Sequence, residues 1–187
     1  MNNLEPIIAD FPNKKIVVIG DVMLDKYLEG NVTRMSVEAP VPVVSLRKEY
    51  FELGGAANVA SNVASLGGKV SLFGFIGVDE SSFILKDLLK KKGIEFFLDN
   101  GRITTTKIRV TTGTQQLIRI DKEENSESFF SETTRKILSE KAERADLIII
   151  SDYNKGAITV DLIGLLSRCK NKVIVDPKPQ NKHLFRG

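Results

Sequence analysis

The stretch GGAANVASNVASLGGKVSLFGFIG, residues 54–77, contains a helix pattern followed directly by a strand pattern. In its first half, small and apolar residues recur at helical spacing, and Gly67 stands where a helix is commonly followed by glycine. Its second half, KVSLFGFIG, is a short apolar run typical of a buried strand. The stretch therefore predicts a helix over 56–66 and a core strand over 69–77. The residues at helical spacing are Ala56, Val59, Ala60, Val63, Ala64 and Leu66.

Apolar, β-branched runs of a similar kind recur along the chain. Each has the length of a strand, and the first of them ends at Gly20, directly before an aspartate. Such runs suit strands that are covered on both faces. They are KKIVVIGD at 14–21, IEFFL at 94–98, DLIIIS at 146–151 and KVIVD at 172–176.

Helical segments alternate with these strands. SSFILKDLLKKKG, at 81–93, ends in lysines and glycine as helices commonly do, and Asp79 can cap its N-terminus. An amphipathic segment covers about 131–144, and a further helix begins at Val160 with Thr159 as its cap. The alternation predicts a mostly parallel sheet with helices on both faces, an α/β fold of three αβα layers.

Two extended segments do not fit this alternation. Residues 30–46 contain Pro40 and Pro42, neither of which can donate to a ladder, so this segment belongs at a sheet edge or in a flap. Residues 103–121 are rich in threonine and β-branched residues, with Thr112-Gly113 midway, and predict an antiparallel hairpin. We expect this to be the one hairpin of the chain, and the two segments to form a small antiparallel accessory.

The composition restricts the classes of function. Of 187 residues, 42% are hydrophobic and 27% charged, the balance of a soluble globular chain, and the formal charge of +3 is scattered rather than gathered into a stripe for nucleic acid. Cys169 and His183 are the only residues of their types, so no disulfide within the chain and no multi-cysteine metal site is expected. The N-terminal residues show no targeting pattern, and no apolar run approaches the ~20 residues of a membrane span. We expect a cytoplasmic protein.

Polar residues follow the predicted strands at their carboxyl ends. In open parallel sheets this edge forms the ligand crevice. The alternative for each residue is a helix cap or a turn, and for Asp79 the cap is favoured. Lys155 and Lys178, with Arg119 on the hairpin, could form a cluster for an anionic group, or they could be ordinary solvated side chains. The strand-end residues are Asp21, Asp25, Asp79, Asp152 to Lys155, and Asp176 to Lys178.

The paired glycines Gly54 and Gly55 admit two interpretations. They form neither GxGxxG nor a P-loop, and they follow the charged segment RKEYFEL rather than a buried strand. Glycines at a helix start leave backbone N–H groups open to an anion or a hydroxyl, and Asn58 would add a side-chain amide in the first turn. Close packing of the helix against a strand explains the same residues equally well.

Several ordered motifs together resemble a known family. The spacing of the paired glycines, Asn58, Ala60, Gly67 and Gly77 is similar to the first signature of the ribokinase-like (PfkB) sugar kinases. GDVMLDKY, SVEAPVPVV, TTKIRV, QQLIRID, SDYNKGA and VDPK further resemble the branch of D-glycero-β-D-manno-heptose-7-phosphate kinases, which act in ADP-heptose and lipopolysaccharide-core synthesis. The resemblance runs from about residue 10 to the last residue.

The resemblance implies a parallel sheet between helices and a β-sheet lid that closes over the sugar and often builds a homodimer. We expect the lid in segments of about 30–50 and 103–121. The resemblance also implies that Asp25 accepts hydrogen bonds from sugar hydroxyls, and that the backbone of Gly54 and Gly55 and the side chain of Asn58 hold the same sugar. The residues implied to face the substrate and its phosphate are Gln116, Arg119, Lys155 and Lys178.

The implied activity is transfer of the γ-phosphate of Mg-ATP to the C1 hydroxyl of the heptose 7-phosphate, giving the 1,7-bisphosphate. In the family, the Asn-x-x-Glu motif tied to magnesium and the Gly-Ala-Gly-Asp motif with the catalytic aspartate follow the VDPK strand, and neither occurs after VDPK in the 187 residues. We therefore expect residues 1–187 to be the N-terminal portion of one kinase domain, with no catalytic or metal-binding residue of its own, and inactive alone. The alternatives are another PfkB kinase, acting on ribose, fructose phosphate or a nucleoside, and a fragment that only binds sugar phosphate.

Overall fold

The computed structural model describes residues 5–169 and 171–185. Its α-helices are α1 Glu5–Ala9, α2 Ala56–Ser65, α3 Glu80–Lys91, α4 Glu132–Glu143 and α5 Val160–Leu166, and 3-10 helices cover Phe11–Asn13 and Pro179–Phe185. Its strands are β1 Lys15–Gly20, β2 Val22–Met35, β3 Pro42–Gly55, β4 Lys69–Ile76, β5 Glu95–Asn100, β6 Thr105–Thr112, β7 Gln115–Lys122, β8 Leu147–Ser151 and β9 Lys172–Asp176.

A five-stranded sheet, the core sheet, has the order β5-β4-β1-β8-β9, and its pairs are all parallel. Alternation along β1 shows why the sheet is covered on both sides. Ile16 and Val18 belong to an apolar cluster with α2 and α3, whereas Val17 and Ile19 belong to a second cluster with α4 and α5. The predicted three-layer α/β fold is confirmed.

The helix ends confirm the local sequence signals. Asp79 accepts a hydrogen bond from Ser82 N at 2.9 Å as the N-cap of α3, and Ser82 completes the capping box. Gly67, at φ 91°, follows α2, and the N–H of Gly68 donates to the carbonyl of Val63 at 3.1 Å. Among the described residues, no helix has both the length and the apolar character needed to cross a bilayer.

A second, four-stranded sheet with the order β3-β2-β6-β7 forms the lid. β6 and β7 pair antiparallel, which confirms the predicted hairpin, whereas β2 and β6 are parallel. The expectation of one hairpin is wrong, because β2 and β3 form a second and longer one, and the first lid segment is 22–55 rather than 30–50. In residues 22–29 the apolar run is limited to Val22–Leu24, and the extended form continues beyond it through pairing with β3 and β6.

Candidate functional site

The glycine pair lies at the end of β3, where the lid joins the core. Gly54 stands opposite Met23 of β2, and a Cβ on Gly54 would lie 2.8 Å from Oδ2 of Asp25. Gly55 has φ 54°, and a Cβ there would collide with the carbonyl oxygen of Asp21. The close approach of Asp21, Met23 and Asp25 therefore requires glycine at both positions. This packing is of β3 against β2 and the residue before it, and differs from the predicted packing of the helix against a strand.

The first turn of α2 follows directly. The N–H of Ala56 donates to the carbonyl of Asp21 at 3.0 Å, and no side chain caps the helix. Asn58 is exposed in this turn, as the sequence predicted. Backbone N–H groups and a side-chain amide thus remain available beside the glycine pair, so the packing role does not remove the binding role.

An ion pair holds the carboxylate of Asp25. Nη1 of Arg109 donates to Oδ1 of Asp25 at 2.6 Å, and the guanidinium lies over the Tyr27 ring at 5.3 Å. Burial lowers the pKa of Arg109, but the hydrogen bond and charge of Asp25 outweigh this and raise it, so the guanidinium stays charged. Tyr27 in turn stacks on Tyr50, with ring centroids 4.8 Å apart. The pair fixes a negative charge and its counter-charge on one lid face.

Arg109 is a site residue that the sequence reasoning missed. The signal in the sequence was the alternation of TTKIRV, which assigns Arg109 to one face of its strand. In the structure Arg109 stands opposite Arg119 in the hairpin and opposite Tyr27 in β2. Which partner Arg109 meets depends on the parallel pairing of β2 with β6, and that pairing joins segments far apart in sequence.

The loops after β8 and β9 are tied together by a buried carboxylate. Asp152 accepts hydrogen bonds from Asn154 N at 2.8 Å, Lys178 N at 3.0 Å and Asn181 Nδ2 at 2.9 Å. Its own N–H donates to the carbonyl of Asp176 at 3.1 Å. Asp152 therefore positions Lys178 through the backbone.

Tyr153 stands between these loops and the lid. Nζ of Lys178 lies 5.0 Å above its ring. Burial raises the pKa of the Tyr153 hydroxyl, and the carboxylates of Asp176 and Asp25 raise it further. Tyr153 lies two residues after the end of β8, at the carboxyl edge of the core sheet. The sequence reasoning quoted the loop DYNKG but did not single out its tyrosine.

Three other candidates lie around this centre. Nζ of Lys155 donates to Glu123 at 2.7 Å, and Nε of Arg119 donates to Asp121 at 2.9 Å. Gln116 is exposed on β7, next to the hairpin turn. The structure thus brings Asp25 against Gly54, with Gly55 and Asn58 following in the chain, and sets Lys178 on Tyr153, while carboxylates already engage the basic groups of Lys155 and Arg119.

A family profile described as pfkB family carbohydrate kinase matches residues 13–186. The chain belongs to the PfkB family. The residues that meet at the crevice are therefore parts of a PfkB carbohydrate-kinase fold, and the first resemblance is confirmed.

Among curated PfkB relatives, "Bifunctional protein HldE" of Sulfurimonas denitrificans is 43% identical over 184 residues, 92% of this chain and 38% of that protein. The protein of the same name from Actinobacillus succinogenes is 40% identical over 183 residues, 96% of this chain and 38% of that protein. The PfkB chain thus spans less than half of the length of these relatives.

The solved structure of Arabidopsis thaliana ribokinase complexed with ribose and ATP superposes on this PfkB chain with a TM-score of 0.65 at 18% identity. It covers 87% of this chain and 53% of the ribokinase. This similarity confirms the ribokinase-like fold.

Proposed function

We propose that the protein is an ATP-dependent kinase for D-glycero-β-D-manno-heptose 7-phosphate, acting at the C1 hydroxyl, and that residues 1–187 supply its sugar-binding part. The observation that carries the proposal is the position of the Asp25 carboxylate over Gly54, beside the uncapped first turn of α2. The heptose, rather than another sugar, is favoured by the identity of 40 to 43% with proteins named HldE.

Each part of this arrangement suits a polyhydroxylated ligand. A carboxylate accepts hydrogen bonds from sugar hydroxyls, and Arg109 keeps that of Asp25 in one orientation. The N–H groups of the first turn of α2 and the amide of Asn58 supply donors. The hydroxyl of Tyr153, with its raised pKa, remains protonated at neutral pH and adds a further donor.

The 7-phosphate requires positive charge at the other end of the sugar. Lys178 is the best placed of the candidates, because its backbone is fixed by Asp152 and its ammonium lies over Tyr153. Lys155 and Arg119 would exchange their carboxylate partners for the phosphate, and Gln116 would donate from the exposed end of β7. Positioning of this kind supplies much of the rate in phosphoryl transfer.

The phosphate donor in this proposal is ATP with Mg²⁺. In the described part of the chain, no group of three or more His, Cys, Asp or Glu residues is placed to hold a metal ion. The described residues therefore do not fit a magnesium site.

The test measures ADP release by the full-length protein with heptose 7-phosphate, ribose and fructose 6-phosphate as rival acceptors. We expect the highest kcat/KM with heptose 7-phosphate. Preference for ribose or fructose 6-phosphate would mean that the protein is a PfkB kinase for that sugar instead of the heptose. Binding of heptose 7-phosphate without turnover of any sugar would favour a protein that only binds sugar phosphate.

The face of the lid opposite Asp25 supports a further proposal, pairing with a second copy of the protein. Ile108 and Val110 of β6 stand opposite Ile120 and Ile118 of β7, and the latter two are 48% and 53% exposed. We expect a dimer by light scattering and a monomer for Ile118→Asp. A wild-type monomer at micromolar concentration would contradict this pairing.

Cytoplasmic localisation is also proposed, and cell fractionation tests it.

A further inference from the structure

Within the described residues, the chain crosses between the core sheet and the lid four times, each time at the end of a strand. It enters the lid after β1, returns after β3, enters again after β5 and returns after β7. The position of the lid relative to the core is therefore set by these crossings and by whatever holds them together. The crossings lie at Asp21, at 55–56, at 101–104 and at 123–131.

Three of these crossings meet directly at Asp21, which is fully buried. Asp21 is itself the residue between β1 and β2. Its carbonyl accepts from Ala56 N at 3.0 Å, and its carboxylate accepts from Nη2 of Arg102 at 3.2 Å. One residue thus bonds the first, second and third crossings to each other.

The fourth crossing is held through the loop after β8. The Asp21 carboxylate also accepts from the N–H groups of Tyr153 at 2.8 Å, Lys155 at 3.1 Å and Ala157 at 3.1 Å. In the same loop, the carbonyl of Gly156 accepts a hydrogen bond from Ser128 N at 3.0 Å. Nζ of Lys155 adds its bond to Glu123 at the start of this crossing.

The charge on Asp21 is essential to this arrangement. Arg102 is buried over the Phe75 ring at 5.6 Å, and its Nε and Nη1 have no hydrogen-bond partner in the described structure. The carboxylate of Asp21 is its one carboxylate partner there. Neutralising Asp21 would leave a buried guanidinium unpaired and would replace an acceptor of backbone N–H groups by a donor.

We propose that the four crossings together form the hinge of the lid, and that Asp21 is the residue that positions it. By fixing the crossings together, it sets the separation between Asp25 on the lid and Tyr153 and Lys178 on the core loops. The hinge role stands apart from the identity of the substrate, and only the effect on sugar affinity rests on the proposed function.

The experiment is hydrogen exchange of the full-length protein carrying Asp21→Asn. We expect exchange in 22–55, 105–122 and 153–157 to accelerate about tenfold or more, with protection in β4 and β8 retained. Glu95→Gln, which removes a carboxylate bonded to Ser71 and Lys141 away from the crossings, should leave the lid peptides unchanged. Unchanged lid exchange in Asp21→Asn, or equal acceleration of core and lid, would overturn the proposal.

Kinetics provide the second readout. In Asp21→Asn, KM for whichever sugar the wild-type protein uses best should rise roughly 10- to 100-fold, the equivalent of one lost charged hydrogen bond, while KM for ATP changes little. A loosened lid with unchanged sugar KM would overturn the positioning role.

If Asp21→Asn does not fold, Arg102→Met serves instead, because it leaves Asp21 its three backbone donors. The same lid-specific acceleration is expected at smaller size, and Arg102→Lys should restore part of it. Failure of heptose 7-phosphate as a substrate would refute the proposed function and leave the exchange test of the hinge intact.

Discussion

In the core sheet, successive residues of a strand enter two apolar clusters, whereas the lid has one ionic face and one partly exposed apolar face. β1, β4 and β8 pair without a register shift. β2 shifts against β3 between Glu29 and Gly30 and between Val32 and Arg34, and β6 shifts against β7 after Val110. Register shifts thus occur in the two antiparallel pairs of the lid and not in the parallel pairs of the core sheet.

This difference indicates that the core sheet supports the fold, whereas the lid contributes to recognition of the ligand. The core carries the free energy of burial and holds its loops through buried carboxylates, while the lid presents Asp25 and its counter-ion Arg109 toward the crevice. The lid joins the core near its strand ends, where Val22, Leu24 and Leu53 pack into the apolar cluster of α2 and α3.

The largest effect compares truncation to alanine in the two sheets. Ile148 of β8 is fully buried and Leu46 of β3 is 55% exposed. We expect Ile148→Ala to lower the free energy of unfolding by about 2–5 kcal/mol, because it leaves a cavity. Leu46→Ala should change it by about 0.5 kcal/mol or less. Urea denaturation measures both, and equal losses would break the comparison.

Asp25→Asn should act on function rather than on stability. It removes the charge that Arg109 pairs with and that would accept sugar hydroxyls, so kcat/KM for heptose 7-phosphate should fall roughly 10- to 100-fold. Asp87→Asn, which breaks an exposed pair with Lys91 on α3, is the matched control and should leave kcat/KM unchanged. Wild-type kinetics in Asp25→Asn would place the sugar elsewhere.

Asp79 links the core to the lid, since its carboxylate caps α3 and also accepts from Thr104 N at 2.9 Å. Asp79→Ala should cost about 0.5–2 kcal/mol of stability at neutral pH. Asp79→Asn should cost less, because asparagine still caps a helix. A cost for asparagine equal to that for alanine would contradict the capping role.

The cost of Asp79→Ala should also depend on pH. Burial raises the pKa of Asp79, but hydrogen bonds from Thr104 and Ser82 outweigh it and hold the pKa below its usual range. A depressed pKa stabilises the fold above the unfolded value of about 3.9 and loses this contribution as pH falls through the folded value. Thermal unfolding of the wild-type protein and of Asp79→Ala between pH 7 and 3 should show the difference in their stability decreasing as the pH falls.

The smallest effect is expected for Tyr153→Phe, which removes one hydroxyl and keeps the ring under Lys178. One neutral hydrogen bond is worth about 0.5–1.5 kcal/mol, so sugar affinity should fall roughly 2- to 10-fold. Calorimetric titration with heptose 7-phosphate measures it, and unfolding should be unaffected. Unaltered affinity would remove Tyr153 from the sugar contacts and restrict recognition to the lid and α2.

Local sequence signals predicted much of the core. The capping by Asp79, the glycine after α2 and the five core strands follow from short-range patterns of caps and apolar runs. The expected coverage on both faces is wrong for the edge strand β9, where Val173 and Ile174 are exposed in the described structure. The long hairpin of β2 and β3 was missed, since one of its faces is ionic and its residues do not form such a run. Exposed strands take their structure from their partners.

Short-range patterns and motifs were enough to predict the α/β core, the family and the candidate residues Asp25, Gly54, Gly55 and Asn58. The pairing of Arg109 with Asp25, the bond from Tyr153 N to Asp21 and the meeting of the lid crossings at Asp21 depend on tertiary contacts. These contacts join residues that lie far apart along the chain. Caps and alternating patterns act within a few residues, whereas Arg109 lies 84 residues from Asp25 and Tyr153 lies 132 residues from Asp21.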